Sequence, residues 1–85
     1  MRKIASLLGR MRIDAGFESA KLASKYLGCS YTHLQQIERG RIGPSKALMG
    51  RMAGLYHASI EDVQWASDES RRLFALRCVD AFKRP

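Results

Sequence analysis

Two consecutive short segments with helical periodicity are each preceded by a serine and followed by a glycine. Ser19 and Ser30 stand where a side-chain oxygen accepts a hydrogen bond from the first turn of a helix. Gly28 and Gly40 stand where a helix ends on a left-handed residue, a conformation that glycine adopts without steric cost. We therefore predict two short helices with a tight turn between them, Ala20–Leu27 and Tyr31–Arg39.

Small and apolar residues indicate how these two helices pack together. Ser24 is small at the point where the second helix has to cross closely, and three apolar residues anchor the pair: Cys29, Leu34 and Ile37. This spacing favours two short helices locked at a wide angle. The first turn of the second helix then points outward and is free to enter a major groove of DNA.

The remaining segments also follow a helical period, and none alternates like a β-strand. We expect a first helix over Arg2–Ala15, a fourth after Ser45, a fifth from Ser59 through Trp65, and a sixth over Asp68–Lys83. The predicted fold is all-α: a compact bundle of five short helices, in which helices 2 and 3 form a helix-turn-helix, plus a C-terminal helix. We place the helix-turn-helix domain at residues 1–66 and the C-terminal helix at residues 67–85.

The positive charge is concentrated in one part of the chain. Of the net charge of +7, residues 1–51 contribute all, with ten lysines and arginines against three acids. Residues 52–85 carry five of each and are neutral overall. A basic protein kept soluble by its charge would not predict this segregation, whereas a protein that binds a polyanion would.

Several functional classes lack support in the sequence. HExxH, GxSxG, P-loop and glycine-rich fingerprints do not occur, so we predict no enzyme activity and no cofactor or small-molecule ligand. The residues able to bind zinc lack metal-ligand spacing: Cys29, His33, His57 and Cys78. Each cysteine is expected to be a small buried hydrophobe. No run approaches the roughly 18 apolar residues of a membrane span, so we expect a cytoplasmic protein without a membrane partner.

Three short runs of sequence stand at fixed distances around the predicted turn: SAK at 19–21, LGCS at 27–30, and IERGR at 37–41 followed by Pro44 and Ser45. Together they resemble the Cro/repressor type of helix-turn-helix domain, the Xre-like family, over about Leu7 to Val63. The resemblance implies a bacterial or phage regulator that binds double-stranded DNA. We expect repression by occupancy of a promoter, since 85 residues leave no room for a separate effector domain.

The resemblance also implies which side chains meet DNA bases. The positions that face the groove are Tyr31, Thr32, Gln35 and Gln36. Glutamine pairs bidentately with adenine, and threonine offers a hydroxyl or a methyl group to thymine. The alternatives are a solvated helix face for Gln35 and Gln36, and a phosphate contact for Tyr31. His33 either faces DNA or packs against the second helix.

Phosphate contacts are implied at both ends of the motif, at Ser19, Lys21, Arg39, Arg41 and Lys46. Ala20 stands where many family members have a glutamine that binds a phosphate. Backbone N–H groups near Ser19 would therefore have to hold that phosphate. The resemblance further implies that Glu38, the one acid in this basic stretch, forms a structural salt bridge with Arg12.

A single domain of this kind gains too few contacts for selective binding, so we expect a homodimer on a palindromic operator, with half-sites about 34 Å apart. The C-terminal helix is the candidate dimer interface, through Leu73, Phe74, Leu76 and Phe82. Its other side, with Ala75, Cys78, Val79 and, as a second placement, Phe82, would close the core over Trp65; alternatively the helix only caps the core. The alternative function is a protein–protein module of the same fold, which would require apolar residues at the head of the third helix, where the sequence has polar ones.

Overall fold

Five α-helices make up the part of the chain that the structure describes. The structure is a computed structural model that describes the backbone of residues 6–83 and the side chains of residues 6–79. In chain order the helices are α1 (Leu7–Asp14), α2 (Ala20–Leu27), α3 (Tyr31–Arg39), α4 (Lys46–Tyr56) and α5 (Ile60–Lys83). Residues 6–83 contain no strand. The predicted all-α class, with a helix-turn-helix formed by α2 and α3, is confirmed.

A serine caps the N-terminus of every described helix. The hydroxyl oxygens of Ser6, Ser19, Ser30, Ser45 and Ser59 each accept a hydrogen bond from the backbone N–H three residues later, at 3.0 to 3.2 Å. Because Ser6 has an extended backbone, α1 begins at Leu7 and not at the predicted Arg2. Residues 2–5 of the predicted first helix lie outside the described residues.

The glycines that end α2 and α3 both adopt the left-handed conformation, with φ of 74° at Gly28 and 84° at Gly40. At Gly28 only the backbone conformation requires glycine, because an added Cβ would have open space around it. At Gly40 an added Cβ would lie 2.1 Å from the carbonyl oxygen of Ser70. The end of α3 and the backbone of α5 are therefore in direct contact.

The hydrophobic core is closed by side chains from all five helices. The fully buried large residues are Leu8, Leu27, Leu34, Ile37, Met52 and Val63. Ser24 is also buried, and its hydroxyl donates to the carbonyl oxygen of Lys21 at 2.7 Å. Ser24, predicted to be small where α2 and α3 cross, is thus buried with its hydroxyl hydrogen-bonded. This packing leaves the first turn of α3 at the surface.

The predicted fifth and sixth helices form one continuous helix of 24 residues. Neither glycine nor proline occurs between residues 60 and 83, and Ser67 and Ser70 are buried as part of the core-facing side. The expectation that the C-terminal segment folds back over Trp65 is wrong, since Trp65 is 60% exposed. A straight helix carries Cys78 and Val79 beyond the core, and both are exposed. Within residues 6–83, no helix combines the length and the hydropathy needed to cross a membrane.

Candidate nucleic-acid interface

An open cleft of about 420 Å³ separates the first turn of α2 from the exposed side of α3. Its lining includes two of the predicted base-reading residues, Tyr31 and Gln35. It also includes three of the residues predicted to contact phosphate: Ser19, Lys21 and Arg39. The remaining predicted site residues, Thr32, Gln36, Arg41 and Lys46, lie outside this cleft. We call it the α2–α3 cleft.

The head of α3 presents polar side chains to solvent. Tyr31 is 43% exposed, and its hydroxyl accepts a hydrogen bond of 2.9 Å from Nε2 of Gln35, one turn later. Thr32 and His33 are exposed, and Gln36 is half-buried. The exposure of His33 favours the alternative in which it faces outward over the one in which it packs against α2. The bond between Tyr31 and Gln35 orients the glutamine amide and leaves its oxygen free to accept a further hydrogen bond.

The first turn of α2 supplies backbone donors at the other wall of the cleft. The hydroxyl of Ser19 accepts a hydrogen bond from the N–H of Leu22, at 3.2 Å. The carbonyl oxygen of Ser19 accepts one from the N–H of Ala23. The N–H groups of Ala20 and Lys21 have no such acceptor in residues 6–83. Free N–H groups at a helix N-terminus favour an anion, and the exposed Lys21 adds a full charge there.

Arg12 and Glu38 form a nearly buried ion pair behind the cleft. Nε of Arg12 lies 2.7 Å from Oε2 of Glu38, and the two side chains are only 9% and 12% exposed. Nη1 of Arg12 also donates to the carbonyl oxygens of Phe17 and Glu18, both at 2.6 Å. One guanidinium thereby joins α1, the loop that precedes α2, and the end of α3. The predicted salt bridge between Arg12 and Glu38 is therefore present, and it holds the carboxylate inside the protein.

A glycine in α1 makes room for this ion pair. A Cβ added at Gly9 would lie 3.3 Å from Oε1 of Glu38 and 3.3 Å from the hydroxyl of Ser6. Both distances are tighter than ordinary van der Waals contact. Gly9 is itself buried and lies in the first turn of α1, although glycine is a poor helix former. Its presence in α1 is therefore explained by the space that the Glu38 carboxylate occupies.

A titratable group near this ion pair, Tyr56, was not singled out from the sequence, and the two cysteines differ from their prediction. Tyr56 in α4 is buried, and its hydroxyl has no hydrogen-bond partner among the described residues. Burial, and then the nearby charge of Glu38, raise the pKa of Tyr56 well above its usual range. Cys29 in the turn is half-buried, and burial raises the pKa of its thiol. The exposed Cys78 contradicts the expectation that both cysteines are buried.

A second groove, of about 470 Å³, lies between the end of α3 and α5. Its lining residues are Gly40, Arg41, Asp68, Arg71, Arg72, Phe74 and Ala75. The guanidinium of Arg41 lies over the ring of Phe74, 6.0 Å from its centre. Phe74, predicted at a dimer interface, thus lines the same groove as a predicted phosphate contact. We call it the α3–α5 groove.

The other predicted dimer residues lie on the part of α5 that extends beyond the core. Leu73 is 39% exposed and Leu76 is 50% exposed, while the side chain of Phe82 lies outside the described residues. Trp65, expected in the core, lines a shallow apolar groove against Leu7 and Met11 of α1. Within residues 6–79, no group of three or more His, Cys, Asp or Glu side chains is placed to hold a metal ion.

The family follows from comparison with known proteins. The model of the family described as "Helix-turn-helix domain" matches residues 3–66, which is more than half of the chain. The protein therefore belongs to this helix-turn-helix family, which is of the Xre/Cro-like type. The family binds DNA and is generally non-enzymatic. No curated protein and no solved structure matches the chain.

Proposed function

We propose that the protein is a sequence-specific regulator of transcription that binds double-stranded DNA, and that it represses by occupying a palindromic operator as a dimer. The observation that carries the proposal is the α2–α3 cleft. It sets an anion-attracting helix N-terminus beside an exposed, polar first turn of α3, at a distance fixed by the buried Arg12–Glu38 pair. Helix N-termini bind DNA phosphates, and exposed polar side chains bind the edges of bases.

In this proposal α3 enters the major groove and reads bases through Tyr31, Thr32, Gln35 and Gln36. The amide of Gln35 keeps one N–H and its oxygen free while Tyr31 accepts the other N–H. That is the donor and acceptor pair that adenine requires at N7 and N6. Tyr31 therefore acts in part by orienting Gln35, in addition to any contact of its own.

Phosphate contacts on both sides of α3 orient the protein on the duplex. The first turn of α2, with Ser19 and Lys21, holds one strand, as the free N–H groups there support. The exposed residues Arg41 and Lys46, beyond the end of α3, hold the second, and Arg39 lies in the α2–α3 cleft beside Ser19 and Lys21. Because these contacts carry no sequence information, their loss is expected to weaken binding to all duplexes alike.

We assign residues 1–66 to DNA binding and residues 67–85 to dimerisation. The support is the distribution of side chains along α5. Leu73, Leu76 and Val79 are exposed apolar residues on its protruding half. The charges are also unevenly distributed: four of the five acids (Glu61, Asp62, Asp68, Glu69) precede three arginines (Arg71, Arg72, Arg77), and Asp80 and Lys83 follow them. An antiparallel pair of α5 helices around a two-fold axis would set each acidic half against a basic half, as a homodimer requires.

The test is the selection of binding sites from a random duplex library, followed by fluorescence anisotropy on the selected site, a scrambled duplex and a single half-site. We expect a palindromic consensus, and affinity for it at least about 1000-fold above that for the scrambled duplex. Equal affinity for all duplexes would refute specific recognition. No affinity for any duplex would favour the protein–protein module instead.

A further inference from the structure

The α3–α5 groove joins the helix-turn-helix to the C-terminal helix through backbone contact. A Cβ at Gly40 would meet the carbonyl oxygen of Ser70 at 2.1 Å and the backbone nitrogen of Arg71 at 2.9 Å. The hydroxyl of Ser70 is itself satisfied by the carbonyl oxygen of Ala66, at 2.9 Å. With glycine on one side and helix backbone on the other, no side chain separates the two elements.

This contact places an arginine of α5 over the loop that follows α3. A Cβ at Gly43 would lie 3.2 Å from Nη1 of Arg71 and 3.7 Å from its Cδ. The guanidinium therefore lies along the loop between Arg41 and Lys46, two residues already proposed to contact phosphate. Arg41 is held on the same groove by the ring of Phe74.

Two arginines of the groove are not paired with a carboxylate of the described residues. Arg72 is engaged by Glu69, with two hydrogen bonds of 2.9 Å, and Asp68 accepts a hydrogen bond from Gln64 at 3.3 Å. Within residues 6–79, Arg41 and Arg71 have no carboxylate within 4.0 Å. Both are exposed. Both arginines line the α3–α5 groove, and a guanidinium group there can donate two parallel hydrogen bonds to phosphate oxygens.

We propose that Arg71, together with Arg41, binds a backbone phosphate of DNA that flanks the half-site, so that α5 is part of the DNA interface. This role lies outside residues 3–66, over which the family model matches. It rests on the proposed function, because it requires that the duplex be seated on α3. The groove then extends the footprint of one protomer beyond the bases that α3 reads.

The experiment compares two duplexes that carry one half-site each, so that no second half-site is read. One ends at the last base pair of the half-site and the other continues for one further helical turn. We expect the wild-type protein to bind the longer duplex more tightly, with a salt slope steeper by about one unit. That unit corresponds to about a 3- to 4-fold greater loss of affinity between 50 and 200 mM salt.

Arg71→Ala should abolish the difference between the two duplexes, and Arg71→Lys should retain most of it. Arg10→Ala is the matched control, because it removes one exposed charge on α1, where Arg10 lines the groove beside Trp65 and not the α3–α5 groove. Equal behaviour of Arg71→Ala and Arg10→Ala would overturn the inference while leaving DNA binding intact. Failure of the wild-type protein to bind the selected palindromic operator as well as both half-site duplexes would instead refute the proposed function.

Discussion

Arg12 and Glu38 lie 26 residues apart in the chain and form a 2.7 Å ion pair that is almost sealed from solvent. The same guanidinium binds the carbonyl oxygens of Phe17 and Glu18, so its loss leaves both an unpaired carboxylate and two unsatisfied carbonyls. Substitution of one partner is therefore a stronger perturbation than replacement of both.

The first prediction is that Arg12→Ala and Glu38→Ala each lower the free energy of unfolding by about 3–5 kcal/mol, because each leaves a charge buried without a partner. The double variant Arg12→Met with Glu38→Leu should recover part of this loss. Thermal and urea unfolding provide the measurement. Arg10→Ala is the control, since the Arg10–Asp14 pair is exposed and such pairs contribute at most about 1 kcal/mol. Single variants that unfold like the wild type would contradict the prediction.

The second prediction concerns base reading. Gln35→Ala and Gln36→Ala should each weaken binding to the selected operator by about 1–3 kcal/mol and relax one base position, with little effect on a scrambled duplex. Tyr31→Phe removes the acceptor that orients Gln35, so it should relax the same position as Gln35→Ala, by a smaller amount. Equal losses on operator and scrambled duplex would assign these residues to the solvated or phosphate-binding alternatives.

The third prediction separates two roles of glycine. Gly28→Ala imposes only the cost of a left-handed alanine, about 1–2 kcal/mol, because its surroundings are open. Gly40→Ala imposes the same conformational cost and a clash with the backbone of Ser70. We expect Gly40→Ala to be more destabilising by at least about 1 kcal/mol, since overpacking against rigid backbone typically costs about 1–3 kcal/mol. Equal unfolding midpoints for the two variants would show that α5 shifts to accommodate the methyl group.

The fourth prediction is that Leu76→Glu converts a dimer into a monomer, as measured by sedimentation equilibrium at tens of micromolar protein. A charge at an exposed apolar residue of the proposed interface opposes pairing of two α5 helices and leaves the core untouched. Ile60→Glu is the control: Ile60 is 52% exposed on the same helix, and helical geometry places it on nearly the opposite side. A wild-type protein that is monomeric, and binds half-sites as tightly as palindromes, would refute the dimer itself.

The fifth prediction concerns the buried hydroxyl of Tyr56. Its pKa is raised in the folded state, so above a pH of about 10 the unfolded state loses a proton that the folded state keeps. The free energy of unfolding therefore falls as the pH rises past that point. Tyr56→Phe should make this alkaline loss shallower and should cost little at neutral pH, because the hydroxyl has no partner among the described residues. A Tyr56→Phe variant whose alkaline profile matches that of the wild type would contradict the prediction.

The parts of the fold that were predicted correctly depend on local chemistry. The bounds of α2 and α3 follow from capping serines and left-handed glycines, which act within one turn of the chain. The unbroken course of α5 was missed because Ser67 reads as a polar interruption, although in the structure it is buried on the helix. The exposure of Trp65 was missed for a related reason: a large aromatic residue is usually buried, and only a helix that turned back would have covered it.

In the candidate site, too, some features could be predicted from the sequence and others depend on tertiary packing. The resemblance of the motif to a known family led to Arg12 and Glu38, and the structure places them together. The hydrogen bond between Gln35 and Tyr31 follows from their spacing of one helical turn, but no pattern marks it in advance. Arg71 was not singled out, because its position over Gly43 depends on how closely α5 approaches the end of α3, and that distance is set by tertiary packing.

The backbone contact between Gly40 and Ser70 has a consequence for how such a protein changes over evolution. Two backbones in contact have no side-chain rotamers that could adjust, so α3 and α5 form one rigid unit with a fixed interhelical angle. In the proposed dimer, the crossing point of the two α5 helices then sets the distance between the two α3 helices. Substitutions along the exposed side of α5 would alter the operator spacing that the dimer accepts, while the bases read in each half-site stayed the same. Spacing and base preference are thereby open to independent selection.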